Sequence, residues 1–335
     1  MEQLQTQLIH KLPSFSIVIE TENLANANPK DLAKSLNSLA NQEVSPNLAN
    51  EVLLLESGDT PPELLKQLCQ QYPWIKVHYT NAKISYYGAK MLGAELVTGE
   101  IVVYCDSDCI YQKDWLKNIL TSFTQGDDIA IVAGETVTRG SGPYGTAMAL
   151  SYIFPQYSEK KSLTKTSQYF LNNVAFRKDF FLKHPIPLDL PLYRGNCVIH
   201  AYNLLEQGYT IWQQPQAKAN HAPPSGLSHF FWRFLLMGHD YFWQKSLLKT
   251  AISTSGKSYS TLMLDTKSKL QAFWERLSGM LIQQPLHLVY LPFAIPIIIS
   301  SIALIVIGYL ITVFQPNYLL NTYQVGEEKD LILSS

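Results

Sequence analysis

The chain has 335 residues, a formal net charge of -1 and 16% charged residues, so it has no basic surplus to neutralise a phosphate backbone, and nucleic acid is excluded as the main partner. Its length accommodates one large domain or two smaller ones, and its polar N-terminus is read as lacking the apolar core of a secretory signal. Cys69, Cys105, Cys109 and Cys197 lack paired Cys-x-x-Cys spacing, which argues against a zinc site and for free thiols in a reducing compartment.

Short apolar runs alternate with helical patterns along the chain, the signature of a mostly parallel sheet covered by helices. Phe15 to Ile19 is a predicted first strand, Asp31 to Asn41 a helix, Val52 to Leu55 a second strand and Pro61 to Gln71 a helix with proline in its first turn. Lys76 to Tyr79 is a third short strand. Gly88 to Leu96 is a helix ended by Gly99, and it leads into the buried strand Ile101 to Cys105, which runs straight into Asp106-Ser107-Asp108. In an extended chain residues i and i+2 share a face, so Asp106 and Asp108 are expected to share one hard cation, Mg²⁺ or Mn²⁺, which completes its shell with water and phosphate oxygens. Tyr111 to Phe123 has helical spacing, and the order strand, acidic pair, helix is that of the ligand-binding edge of an α/β sheet. Further on, Gly140 to Gly145 is a predicted flexible loop, Phe170 to Phe176 a strand, Cys197 to Gln207 a helix closed by Gly208, and Thr210 to Gln213 a late strand.

From Leu288 to Phe314 no charged residue occurs, and a helix there could cross roughly 30 Å of hydrocarbon at about 1.5 Å per residue. This predicts one transmembrane helix, with Pro292 and Pro296 near its start. Lys267, Lys269 and Arg276 precede it, whereas the tail carries Lys329 against Glu327, Glu328 and Asp330, which by the positive-inside rule keeps the large domain cytoplasmic. The expected organisation is a catalytic α/β domain over 1–225, a helical, membrane-interfacial region over 226–287, a single span over 288–314 and a tail over 315–335.

Four separated blocks resemble glycosyltransferase family 2, whose members have the GT-A fold. Ser16-Ile17-Val18-Ile19-Glu20-Thr21-Glu22-Asn23 is similar to the family's opening S-[IV]-V-I-P-T-Y-N strand, with Glu20 and Glu22 in place of the proline and the aromatic residue. Leu54-Leu55-Glu56-Ser57-Gly58 resembles the acidic turn that contacts the base or ribose. Gly88-Ala89-Lys90-Met91-Leu92-Gly93 followed by Thr98-Gly99-Glu100-Ile101 and Asp106-Ser107-Asp108 resembles the A-R-N-x-G, A-x-G-E and D-x-D series, and Leu171-Asn172-Asn173-Val174-Ala175-Phe176-Arg177 the strand beside the donor sugar. The resemblance implies a GT-A-type mixed, mostly parallel sheet that binds a UDP- or GDP-sugar through Thr21, Glu22, Glu56, Lys90, Asp106 and Arg177. It also implies a divalent ion, Mn²⁺ or Mg²⁺, on Asp106, Asp108 and His221, the last within Pro215-Gln216-Ala217-Lys218-Ala219-Asn220-His221. The implied activity is inverting transfer of a sugar to a lipid-linked or surface-glycan acceptor.

One departure bears on mechanism. The family's E-D pair, which supplies the catalytic base, falls here on Asn196-Cys197, neither of which is a carboxylate. Three accounts follow. The acceptor is already ionised, as a lipid phosphate is; or a base comes from His200, Asp189, His239 or Asp240; or the chain is an inactive transferase that serves as a tethered binding or scaffold protein. Asn196 and His200 are therefore kept as candidates beside Asp106 and Asp108. His229-Phe230-Phe231-Trp232-Arg233 does not reproduce the Q-x-x-R-W of processive synthases, which disfavours polymer extrusion. A nucleotidyltransferase is disfavoured by the lack of a Gly-rich phosphate loop at the start of the chain.

Overall fold

The computed structural model of the protein describes residues 12–21, 30–58, 60–81, 84–255, 269–283 and 285–323. In chain order the elements used below are β1 (Phe15–Glu20), α1 (Lys30–Ala40), β2 (Val52–Glu56), α2 (Pro62–Gln71), β3 (Ile75–Tyr79), α3 (Tyr86–Leu96), β4 (Ile101–Asp106), β5 (Cys109–Tyr111), α4 (Trp115–Ser122), β6 (Ile131–Thr138), α5 (Gly142–Ser151), β7 (Thr164–Thr166), β8 (Asn173–Arg177), α6 (Lys178–Lys183), α7 (Asn196–Glu206), β9 (Ile211–His221), α8 (Gly226–Ser255), α9 (Lys269–Gln283) and α10 (His287–Phe314). They pack as two units, one of Met1–Arg139, Phe154–Ile186 and Asn203–Ala222, the other of Gly140–Ile153, Pro187–Tyr202 and Pro223–Ser335. The division is thus not a single boundary near residue 225, because two inner segments pack with the C-terminal helices.

In the first unit the strands form one mixed sheet in the order β3-β2-β1-β4-β8-β6-β9-β5, with β7 added on β9. β1, β2, β3 and β4 run parallel, and every residue of β1, β2 and β4 is buried, as expected for strands with both faces covered by helices. Local signals fix the crossovers. Ser85 caps α3 by accepting the Gly88 N–H at 3.1 Å, and Pro62 opens α2, where a missing N–H costs nothing. Beyond β4 the direction changes, for β8 is antiparallel to both β4 and β6.

Three expectations are corrected here. Tyr111 belongs to β5, and the helix after the acidic pair starts only at Trp115, because Cys109 to Tyr111 pair with Ala219 to His221. The predicted glycine-rich loop is largely the first turn of α5. The late strand continues to His221, so the Pro215–His221 motif is strand rather than loop. β6 had no sequence-based counterpart. It carries a bulge between Ala133 and Glu135 in its pairing with β9, where a Cβ on Gly134 would collide with the Asn173 amide and the Ala217 carbonyl.

In the second unit α10 is the one helix among the described residues long and apolar enough to cross a membrane. It begins at His287, so Pro292 and Pro296 lie inside it rather than at its first turn. Its polarity is inverted relative to a water-soluble helix. Ala294, Ser301, Gly308 and Thr312 are buried, whereas Val289, Phe293 and Ile299 are each more than 60% exposed. Gly308 meets the Leu235 carbonyl of α8, and Gly238 of α8 meets the backbone of Ile305 and Tyr309, so the two helices touch backbone to backbone as small residues permit. Arg276 of α9 donates to the Leu150 (3.3 Å), Tyr152 and Ile153 (3.3 Å) carbonyls and so closes the end of α5.

Asn173 ties the sheet together at the bulge. Its Oδ1 accepts the Trp115 indole N–H at 2.7 Å, and its Nδ2 donates to the Glu135 and Ala217 carbonyls at 3.0 and 3.1 Å. Replacing it by leucine leaves these buried groups unpaired and is expected to lower stability by about 3–5 kcal/mol. A chemical-denaturation midpoint equal to that of the wild type would contradict this assignment.

Candidate active site

The C-terminal ends of β1, β2 and β4 carry Glu20, Glu56 and Asp106, which places carboxylates at the edge of the parallel sheet where ligands bind in open α/β folds. Glu20 and Asp106 are register partners on adjacent strands. Beneath them lies Lys90 of α3, with no exposed surface. Its ammonium donates to Asp106 Oδ1 at 2.7 Å and to the Cys105 carbonyl, and it sits 5.3 and 5.6 Å from the ring centres of Tyr86 and Tyr104. Burial alone would lower the Lys90 pKa, but the Asp106 and Glu20 carboxylates outweigh it and hold the group above its ordinary value, so it stays charged. Tyr86 Oη adds 3.1 Å contacts to both oxygens of Asp106.

Backbone bonds fix Asp106 as firmly as its side chain is fixed. Its N–H donates to the Tyr111 hydroxyl at 2.9 Å, that hydroxyl donates to the Asn172 carbonyl at 2.9 Å, and Ser35 Oγ donates to the Asp106 carbonyl at 3.0 Å.

Asp106 does not join Asp108 in the ligand cluster found among the described residues. β4 ends at Asp106 and the chain turns at Ser107, so the alternation of an extended strand no longer applies. Asp106 turns to Lys90, while the groups that converge are Asp108, Cys109 and His221, whose ligating atoms lie within 4.8 Å of one another. His221 Nδ1 donates to the Ala222 carbonyl, which leaves Nε2 directed at Asp108 Oδ2, 3.4 Å away. The ring is held from behind by Phe154, 4.7 Å away. Burial raises the Asp108 pKa, with His221 and Arg139 opposing and Asp106 and Asp31 reinforcing it. Burial also pushes the Cys109 thiol well above its usual value, so it offers S–H and is the poorest ligand of the three. An imidazole and a carboxylate at this spacing suit Mn²⁺ better than Mg²⁺.

Glu56 closes the turn after β2 through Oε1, which accepts the Gly58 and Thr60 N–H groups at 2.7 and 3.2 Å. Its Oε2 is buried and lacks a partner among the described residues, as does Thr60 Oγ1. Thr21 is buried; its hydroxyl donates to the Leu55 carbonyl at 3.2 Å and accepts the Ser57 N–H at 3.3 Å, so it braces this turn rather than facing outward. Glu22 lies outside the described residues.

Two expected donor contacts are placed elsewhere. Lys90 has no surface with which to touch a nucleotide and acts through Asp106 instead. Arg177 pairs with Ile101, at the opposite end of β4 from Asp106, and is engaged by Glu100 and by the Ile129 carbonyl at 3.1 Å. The reason is strand direction: β8 is antiparallel to β4, so its first residues lie beside the acidic edge and its last lie far from it.

The remaining candidates belong to the second unit. Asn196 starts α7, donates to the Pro187 carbonyl at 2.7 Å and leaves Oδ1 buried without a partner among the described residues. His200 is buried one turn on. Asp240, whose pKa burial raises to about 7, accepts the Tyr193 and Arg194 N–H groups, each at 2.8 Å, and His239 contacts the Pro191 carbonyl at 3.1 Å. Both therefore shape the 191–195 loop, and Asp240 has its two oxygens occupied. Tyr86, Phe154 and Arg139 were not singled out in the sequence; Arg139 directly follows β6, a strand whose Val-Ala-Gly-Glu-Thr-Val-Thr run was the available signal.

The model of the family "Glycosyl transferase family 2" matches residues 16–184. The glycosyltransferase AglE of Haloferax volcanii is 26% identical over 208 residues, 60% of this chain and 64% of that protein. Human polypeptide N-acetylgalactosaminyltransferase 14 is 28% identical over 109 residues, 32% of this chain and 19% of that protein. The chain thus spans less than two thirds of either relative. Among solved structures, the mannosyltransferase PcManGT of Pyrobaculum calidifontis in complex with GDP-Man and Mn²⁺ superposes with a TM-score of 0.53 at 14% identity, covering 99% of this chain and 93% of that one. GalNAc-T7 with UDP, GalNAc and Mn²⁺ gives 0.52 at 15%, covering 76% and 56%. These likenesses give the GT-A fold.

Removing Lys90 tests the electrostatics. Lys90→Met strands two buried carboxylates and is expected to cost about 3–5 kcal/mol, part of which returns when Asp106→Asn is added. A double variant less stable than Lys90→Met in thermal unfolding would refute the pairing.

Proposed function

The chain belongs to glycosyl transferase family 2, and we propose that it moves a hexosyl group, with inversion, from a UDP- or GDP-sugar to a lipid-linked or surface-glycan acceptor. The observation that carries this reading is the convergence of Asp108, Cys109 and His221, whose ligating atoms lie within 4.8 Å of one another with His221 Nε2 3.4 Å from Asp108 Oδ2, a donor set that a divalent cation would complete. Asp108 and His221 would hold a divalent ion, which would supply charge neutralisation to the departing diphosphate. Asp106 is locked by Lys90 and Tyr86. The unpartnered Oε2 of Glu56 accepts a base N–H or ribose hydroxyl, and Thr21 keeps that turn in place.

The acceptor follows from the lack of a carboxylate at Asn196-Cys197. A phosphate is ionised near neutral pH and needs positioning rather than deprotonation, so a lipid phosphate suits this site better than a sugar hydroxyl. The apolar stripe of α10 supports a membrane-seated enzyme, and the placement of its catalytic unit in the cytoplasm rests on the charge balance on either side of that helix. The basic residues 267 and 269 and the acidic tail behind that orientation lie where side chains are not described. The same asparagine favours one second reading, a tethered transferase-like binding protein that engages nucleotide without turnover.

Asp108→Asn is expected to abolish Mn²⁺-dependent donor binding in isothermal titration and to lower turnover at least about a hundredfold; unchanged metal-dependent binding would overturn the site. Binding without turnover by the wild type, across a panel of UDP- and GDP-sugars in isolated membranes, selects the second reading. On extraction with alkaline carbonate the full-length chain should stay in the membrane pellet, and its release into the supernatant would remove the membrane assignment.

A further inference from the structure

Arg139 is the first residue after β6. Its N–H donates to the His221 carbonyl at 2.8 Å, and Thr138 beside it is the register partner of His221. Its guanidinium reaches back to Asp31 Oδ1 on α1, and Lys34 donates to that same oxygen at 2.9 Å. One carboxylate oxygen therefore carries two cations. If Arg139 leaves, Asp31 keeps a counter-charge, so the exchange strands no ion. The Arg139 side chain is 21% exposed, enough to meet a ligand at this edge. Asp31 and Arg139 are also charged neighbours of Asp108, which places the latch within electrostatic reach of the metal-ligating pair.

We propose that Arg139 is a catalytic residue that exchanges Asp31 for the donor diphosphate and neutralises the charge that appears as the sugar departs. This rests on the donor reading of the preceding subsection. As the acceptor oxygen bonds to the anomeric carbon, releasing its proton to solvent when it is a hydroxyl, the bond from that carbon to the terminal phosphate oxygen breaks and its electron pair stays on the phosphate. The diphosphate charge rises from about −2 toward about −3, because the freed terminal phosphate has a second pKa near ~6. A divalent ion balances the first two charges, and a guanidinium, matched in geometry to phosphate oxygens, takes the third. Such a contact strengthens only as the leaving group forms, which is the kind of interaction that raises kcat.

The test uses the full chain with Mn²⁺ and measures binding of UDP and GDP beside the corresponding nucleotide sugars. Arg139→Ala is expected to weaken nucleoside diphosphate binding at least tenfold while changing nucleotide-sugar binding less than threefold, and kcat should fall with little change in KM. Arg139→Lys should recover part of the loss. Asp31→Asn, which frees the guanidinium, should bind the diphosphate as tightly as the wild type or tighter. Equal diphosphate affinity in wild type and Arg139→Ala overturns the proposal. So does an Asp31→Asn loss as large as that of Arg139→Ala, the mark of a merely structural ion pair. Where Arg139→Ala does not fold, the opposite signs expected for Arg139→Lys and Asp31→Asn decide. A wild type that binds neither nucleoside diphosphate refutes the donor reading itself, and this inference with it.

Discussion

A single buried ammonium holds the acidic edge together. Glu20 and Asp106 end neighbouring parallel strands, and parallel register forces their side chains into proximity away from bulk water. Two such carboxylates repel and are poorly solvated; Lys90, wrapped by Tyr86 and Tyr104, resolves both problems at once. With Asp106 thus neutralised, Asp108 is left as the carboxylate that faces His221. The division of labour between the two aspartates is a consequence of where the lysine sits, and no property of the D-x-D string by itself assigns it.

The parallel half of the sheet was legible because its strands are continuous apolar runs closed by acidic residues, as in Ile101 to Asp106 and Val52 to Glu56. Periodicity carries less information beyond it. Cys109 to Tyr111 is too short for a pattern, and β6 mixes Gly134, Glu135 and two threonines, a polar run that is buried with Ser158 on the Glu135 carboxylate and Asn173 on Thr136. For the site, residue types were readable and their directions were not. Arg177 sits in a block that resembles a donor-site strand, but antiparallel insertion carries it to the far end. Lys90 occupies the position of a nucleotide-binding arginine, yet lies one layer beneath the surface. Arg139 could not be weighed before its strand was known.

The second unit shows a comparable economy of polar groups. Asp240 and His239, adjacent on α8, fasten the loop that precedes α7, and the backbone N–H groups of Tyr193 and Arg194 end on one carboxylate. Residues that looked like candidate bases in a linear reading are thereby committed to shaping the chain around Asn196. This commitment strengthens the reading in which the acceptor supplies its own charge.

The aliphatic stripe of α10 has a practical corollary. In plain aqueous buffer a strip of this kind lowers its free energy by finding another strip, so purified chains would gather into particles whose size reports solvent aversion rather than designed assembly. A surfactant coat separates the two effects. Any subunit count for this molecule thus acquires meaning only once the amphiphile is stated alongside it.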